Sequence, residues 1–245
     1  MWSRAELKER AKAVLSTNYW EALWISIVIS FAGGDGGGGG SGSSSNSFST
    51  FDLTDIMIVL TVVFIILLFV LAIRIFLGYP LEVGGRRYFV KSAEYGDNRN
   101  CFKFAFSVEN YKSIVSTMFL KGLQNFLWYL LFIIPGIIKY YSYSMVPYIL
   151  ADNPNIESKR AIELSSQMTE GHKFNMFILE LSFLGWYLLG LLACCIGVIF
   201  VAPYKNATFA ELYLVLRQNA IDNGWSSPDE LLLDYENSDD DIGLL

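Results

Sequence analysis

"IMIVLTVVFIILLFVLAIRIFLG", residues 56–78, decides the fold class. The stretch carries one charge, Arg74, near its end, and a bilayer asks for roughly 20 apolar residues per spanning helix. Its Val and Ile content would suit a strand in water. Strands seldom exceed about 10 residues, however, and hydrocarbon offers an open sheet edge no hydrogen-bond partners. The reading is a transmembrane helix whose Arg74 reaches back to the headgroups on its long stem.

Composition extends that reading to the whole chain. Of 245 residues 53% are hydrophobic and 17% charged, against about 25% charged in soluble domains. The net charge of -6 excludes nucleic acid as a partner, because phosphate binding needs a basic stripe. Cys101, Cys194 and Cys195 make no CxxC pair. They read as small apolar residues rather than a disulfide framework.

Further segments are read from their ends. "NYWEALWISIVISFA", 18–32, opens with Asn18 and Glu21 in capping-box spacing, with Tyr19, Trp20 and Trp24 as interface aromatics. A surface helix with its own box, Ser3 and Glu6, precedes it. Residues 115–134 span once more and stop at Pro135-Gly136. Residues 137–150 return, and 174–203 cross, turn near Gly190 and start back. The expected fold is all-α: a polytopic membrane helical bundle of about six segments. The segments 137–150 and 191–203 are too short to cross about 30 Å as straight helices, so they are interfacial or re-entrant.

Charge then orients the bundle. Arg4, Lys8, Arg10 and Lys12 precede the first span, Arg86, Arg87, Lys91, Arg99, Lys103 and Lys112 follow the second, and Lys159, Arg160 and Lys173 lie between the fourth and fifth. The Gly/Ser-rich segment 33–55 has no Lys or Arg. By the positive-inside rule the basic loops and both termini are cytoplasmic, and 33–55 is an extracytoplasmic tether. A competing reading makes the first span a cleaved signal peptide ending in "SFA". Its two capping boxes favour a retained helix. The organisation is one membrane-embedded domain, 1–224, followed by an acidic, solvated cytoplasmic tail, 225–245.

Chemistry-bearing motifs are scarce. No GxSxG, HExxH, P-loop or GxGxxG occurs. His172 follows Gly171 and reads as helix-end decoration. No catalytic residue, metal site or cofactor is expected, and the chain is read as a non-enzyme. What remains are intramembrane charges, which mark candidate functional sites in lipid. Lys121 and Glu180, each about two turns from the cytoplasmic surface, form a candidate polar pair. Glu82 and Arg86 read as an i,i+4 pair on a helix leaving the membrane. In the connector 155–173, Ala161, Ile162, Leu164 and Met168 make one narrow apolar face on a helix ended by Gly171. That helix is either a lid over the bundle's inner mouth or a docking surface for a cytoplasmic partner. Phe209, Leu212, Tyr213 and Leu216 mark another helix, with Glu211 and Arg217 on its other side.

"YPLEVGGRRYFV", "IPGIIKYYSYSMVPYILADNPNI", "LELSFLGWYLLG" and "APYKNATFAELYLVLR" together resemble the bacterial integral membrane family known as domain of unknown function 975. A distant likeness extends to the six-helix membrane domain found beside glycerophosphodiesterases. The resemblance implies a multi-pass protein of the cell membrane with no assigned reaction, and it supplies no catalytic residue. The expected role is a non-catalytic component supporting or regulating a transport or envelope system. Its partners would be membrane lipids and a membrane or cytoplasmic protein. The alternative is a small transporter or channel with a polar path through Lys121 and Glu180. A hydrated cavity reaching those two residues favours the transporter; a dry bundle with an exposed groove favours partner binding.

Overall fold

The computed structural model describes residues 7, 8, 10, 53–96, 98–192 and 196–233. The first span, both capping boxes, most of the Gly/Ser segment, Cys194, Cys195 and residues 234–245 lie outside them. All regular elements among the described residues are helical: α1 (Leu53–Ile73), a π-helical turn (Arg74–Gly78), α2 (Tyr79–Ala93), α3 (Cys101–Ala105), α4 (Val108–Leu131), α5 (Ile133–Ser142), α6 (Val146–Asp152), α7 (Ser158–Met168), α8 (Lys173–Leu192) and α9 (Ile196–Asp222). The tether expected over 33–55 therefore gives way to helix at Leu53.

The long apolar helix does not stop at Gly78. It runs through the π-helical turn into α2, and Leu60–Ala93 is the one described helix long and apolar enough to cross a membrane. Pro80 explains the wide turn. Proline has no N–H for the carbonyl four residues back, Phe76, and its ring crowds that oxygen. The helix widens over 74–78, where the Tyr79 N–H reaches Arg74 instead. The freed Phe76 carbonyl accepts from the Tyr111 hydroxyl of α4 at 2.9 Å. Helical bulges have such identifiable causes.

A second proline sets the next bend. The sequence reading ended the third segment at Pro135-Gly136, but α4 ends at Leu131 and Phe132 is extended, with φ -156 and ψ 143. Pro135 cannot donate to the Leu131 carbonyl, so the chain breaks before it and Pro135 falls in the first turn of α5, where no donor is needed. α5 folds back along α4. At 10 residues it rises only about 15 Å. The stretch 137–150 is thus two short helices, α5 and α6, separated by Tyr143–Met145.

Close approach at this hairpin depends on Gly136. A Cβ there would meet the Tyr129 ring at 2.5 and 2.8 Å and the Tyr129 Cα at 3.0 Å. Ring atoms this near the backbone cannot swing away cheaply. Gly136→Ala is therefore expected to destabilise the protein by about 1–3 kcal/mol, as overpacking does. Gly185→Ala, where a Cβ meets nothing within 4 Å, is the neutral control. Thermal unfolding of both variants in detergent checks the contrast.

Apolar residues divide into two populations. Val83, Phe89, Ile114, Met118, Ile149, Leu150, Leu164, Met168, Leu212 and Tyr213 form a buried core where α2, α6, α7 and α9 meet the first half of α4. The large apolar side chains of α1 from Leu60, of the second half of α4 and of much of α8 are exposed. At the α4–α5 tip Leu130 is 77% and Ile134 73% exposed. In water such a continuous apolar surface would aggregate. The π-helical turn and Pro135 together divide a packed, polar-capped half from an apolar half.

The segment expected as solvated tail begins packed. Ser226 and Leu231 are buried, and Arg160 of α7 holds Glu230 with two hydrogen bonds, at 2.6 and 3.1 Å. Residues 225–233 lost their tail-like character because Leu231 found a core and Glu230 a guanidinium. The Arg160 hydrogen bonds hold the Glu230 carboxyl below its ordinary value, so this clasp contributes stability above the unfolded carboxyl range and loses it as pH falls through the lower folded value. Acidification from pH 7 to below about 4 is expected to raise hydrogen exchange at 229–233 before the core, and Glu230→Gln should show that exchange already at pH 7.

Candidate functional site

Six helices contribute to one cavity. α2 places Glu82 and Arg86 one turn apart on a buried face, α4 brings Lys121, and α5 brings Tyr140 and Tyr141. Ser144 comes from the α5–α6 bend, Pro147 and Tyr148 from α6, Glu180 from α8, and Lys205 and Phe209 from α9. The cavity is partly open and has a volume of about 60 Å³, room for a few waters at roughly 10–15 Å³ each.

The lining is a network of charges of both signs. Lys205 Nζ donates to Glu180 Oε1 at 3.0 Å, and the Tyr141 hydroxyl donates to Glu180 Oε2 at 2.6 Å. Arg86 donates to Asn206 at 2.8 Å and to the Tyr148 hydroxyl at 3.2 Å, with its guanidinium 5.2 Å from the Tyr148 ring centre. Charge-assisted bonds of this kind are the strong ones. Among the described residues the lining brings Arg86, Lys121 and Lys205 together with Glu82 and Glu180, so charges of both signs meet in a partly closed space.

The sequence reading placed Lys121 and Glu180 together, and both line this cavity. It missed Lys205, which is the ion-pair partner of Glu180. The signal was present in "APYKNATF", where Lys205 and Asn206 follow an apolar run, but a lysine there reads equally as an interfacial end. It also paired Glu82 with Arg86. The structure turns Arg86 toward α6 and α9 instead, because Tyr148 and Asn206 lie across from it.

The apolar face of the connector helix is covered within the chain. Ala161 and Leu164 are fully buried, and Ile162 and Met168 nearly so, against α4, α6 and α9. Gly171 has φ +75 and ends it as expected. Ser165 adds a polar anchor, donating to the Ser142 carbonyl at 2.7 Å and accepting from the Met145 N–H at 3.2 Å. The helix thereby fixes the bend that carries Ser144.

Beneath the cavity lies a second ionic network. Arg217 of α9 donates to Asp152 Oδ2 at 2.9 Å and to Glu94, and the Tyr213 hydroxyl donates to the same Asp152 oxygen at 2.7 Å. Arg87 donates to the Ala151 carbonyl and sits 3.8 Å from the centre of the Phe104 ring. Tyr148 stacks on Tyr213 at 5.3 Å. α9 is a single helix through 209–217, and Glu211, on the side away from Leu212 and Tyr213, is buried as well.

No curated protein and no solved structure matches the chain. The family match that exists covers Tyr141, Glu180, Lys205 and the lid helix, and leaves Glu82, Arg86 and Lys121 outside it. Residues 130–220 match the family model described as Protein of unknown function (DUF975), and "IPGIIKYYSYSMVPYILADNPNI", "LELSFLGWYLLG" and "APYKNATFAELYLVLR", which carry the resemblance, fall within that stretch.

Proposed function

We propose that the chain is a multi-pass membrane protein with cytoplasmic termini that works as a small transporter or channel, its polar path passing the cavity of Lys121, Glu180 and Lys205. The observation that carries this reading is the gathering of five ionisable side chains round one cavity beside an apolar half. Buried ion pairs seldom add stability over well-packed apolar residues. Charges kept next to lipid therefore favour a role in passage or binding over one in packing.

The alternative of a non-catalytic supporting component draws on the exposed apolar surface formed by Tyr129–Pro135. Lipid satisfies that surface as well as a protein partner does. The reading is tested in proteoliposomes loaded with ion- and proton-sensitive dyes and with radiolabelled small solutes. Wild type should conduct at least one of them, and Glu180→Gln and Lys205→Met should lose flux while remaining inserted. Background flux for every solute, with a stoichiometric membrane protein co-purifying, would establish the supporting role instead.

A further inference from the structure

A second pocket lies where the apolar surface meets the charged one, and it shares no lining residue with the cavity. Gln124 of α4, Lys139 of α5, Tyr143 of the α5–α6 bend and Lys159, Glu163 and Ser166 of α7 line a volume of about 270 Å³, open on one side. The helices explain the position. On α5 the side chains just before Lys139, Ile137 and Ile138, are apolar and exposed, and Tyr141 and Tyr143 after it are buried. On α4, Leu123, Phe126 and Leu127 flank Gln124 and are exposed too, whereas α7 exposes Lys159 and Glu163. A lysine at such a border lays its stem along apolar surface and keeps its ammonium at headgroup depth. Trp128, whose ring lies 5.2 Å from Lys139 Nζ, is an aromatic of the type enriched at that depth.

The charges of this lining do not cancel. Lys139 and Lys159 make no ion pair or hydrogen bond among the described residues. Lys139 meets the faces of Trp128 and Tyr143, at 5.2 and 5.7 Å, which engages its charge and leaves its N–H donors to an anion. Lys159 is exposed. Opposite them in the lining stands Glu163, which accepts from Gln167 at 3.4 Å. The Tyr143 and Ser166 hydroxyls and the Gln124 amide add uncharged donors. Two ammonium groups with hydroxyl and amide donors beside them suit a phosphate ester. Such an ester arrives free from solution or on a lipid. The exposed Leu127, Ile137 and Ile138 favour the lipid, whose acyl chains cover them, while a free anion gains nothing from apolar surface.

We infer that this pocket holds the headgroup phosphate of an anionic phospholipid, its oxygens toward Lys139 and Lys159 and its acyl chains along the exposed side chains of α4 and α5. The site needs the chain to lie in a bilayer, as proposed above, and does not need it to carry a solute.

The test is native mass spectrometry of the full chain in mild detergent, titrated with phosphatidylglycerol, phosphatidylcholine and, as the free source of the same chemistry, glycerol 3-phosphate. Phosphatidylglycerol should be retained several times more tightly than phosphatidylcholine, and glycerol 3-phosphate at equal concentration should not compete. A lysine beside a headgroup contributes about fivefold in affinity. Lys159→Gln should therefore weaken phosphatidylglycerol binding by about that factor, and Lys139→Gln with Lys159→Gln on the order of twentyfold. Glu163→Gln should tighten it severalfold, a gain that a merely structural role does not produce. Lys103→Gln, at an exposed position outside the pocket, should leave it unchanged. Should the double variant fail to fold, the exposed single changes Lys159→Gln and Glu163→Gln decide by their opposite signs.

Equal retention of the two lipids would overturn the proposal, and so would phosphatidylglycerol binding indifferent to Lys159→Gln and Glu163→Gln, or weakened as much by Lys103→Gln. Competition by glycerol 3-phosphate would make the ligand a free phosphate ester and overturn the lipid assignment. Selective lipid binding without flux of any solute would leave this site standing and count against the transport reading. Flux through a protein indifferent to lipid charge would do the reverse.

Discussion

Replacing Arg217 with Ala is expected to cost the folded protein about 3–5 kcal/mol, the usual effect of removing one partner of a buried ion pair. Arg217 bridges Asp152 of α6 and Glu94 at the end of α2, and both carboxylates stay behind when it goes. Asp152 is buried and would keep only the Tyr213 hydroxyl. Burial pushes the Asp152 carboxyl above its ordinary value, while Arg217 and the Tyr213 hydroxyl pull it back. Without Arg217 only the Tyr213 hydroxyl opposes that push. A group whose folded value lies above its unfolded one penalises folding at high pH and releases the penalty as pH falls. Arg217→Ala should therefore recover stability on acidification from pH 8 toward 5, opposite in sign to the Glu230 clasp. Adding Asp152→Asn should restore part of the loss at neutral pH. Urea or thermal unfolding in detergent measures all three variants; equal stability of Arg217→Ala and wild type would mean that the network does not form.

The second large effect is at the lid. Leu164 is 0% exposed, so Leu164→Asp inserts an unpaired carboxylate into the core joining α7 to α4, α6 and α9. Such changes belong to the tail beyond about 4 kcal/mol. The variant should fail to accumulate as a folded, inserted protein, whereas Glu163→Ala, at an exposed position of the same helix, should be neutral. Size-exclusion profiles and yield from detergent distinguish the two. A monodisperse, wild-type-like Leu164→Asp protein would show that the face is uncovered.

How legible this was in the sequence depended on how local the cause was. The helix over 56–78, the Gly171 terminus and the apolar face of the connector helix follow from length, backbone conformation and spacing, and the structure has all three. The two proline effects were half legible. Pro80 and Pro135 announce a break, but its place and form depend on which carbonyl each proline orphans and which donor, such as Tyr111, arrives to satisfy it. The cavity was legible only in part. Lys121 and Glu180 stood out as charges within apolar runs, whereas Lys205 and Tyr141 look interfacial until α5, α8 and α9 are brought together. Glu82 was misread as half of an i,i+4 pair, because spacing on one helix says nothing of Tyr148 and Asn206 on two others. The start of the tail was misread for the same reason. Composition sees Ser, Pro and acid, and a single Leu231 with Arg160 opposite Glu230 suffices to dock it.

Membrane crossing with both termini on one side underlies the whole account, and site-directed thiol labelling in intact cells tests it most directly. In a variant lacking Cys101, Cys194 and Cys195, single cysteines at Ser43, Asn155 and Ser227 report on the Gly/Ser segment, the α6–α7 turn and the C-terminal clasp. An impermeant maleimide should react at 43 before permeabilisation, and at 155 and 227 only after it. Labelling of 155 or 227 in intact cells, or of none of the three until the cells are opened, would contradict the account.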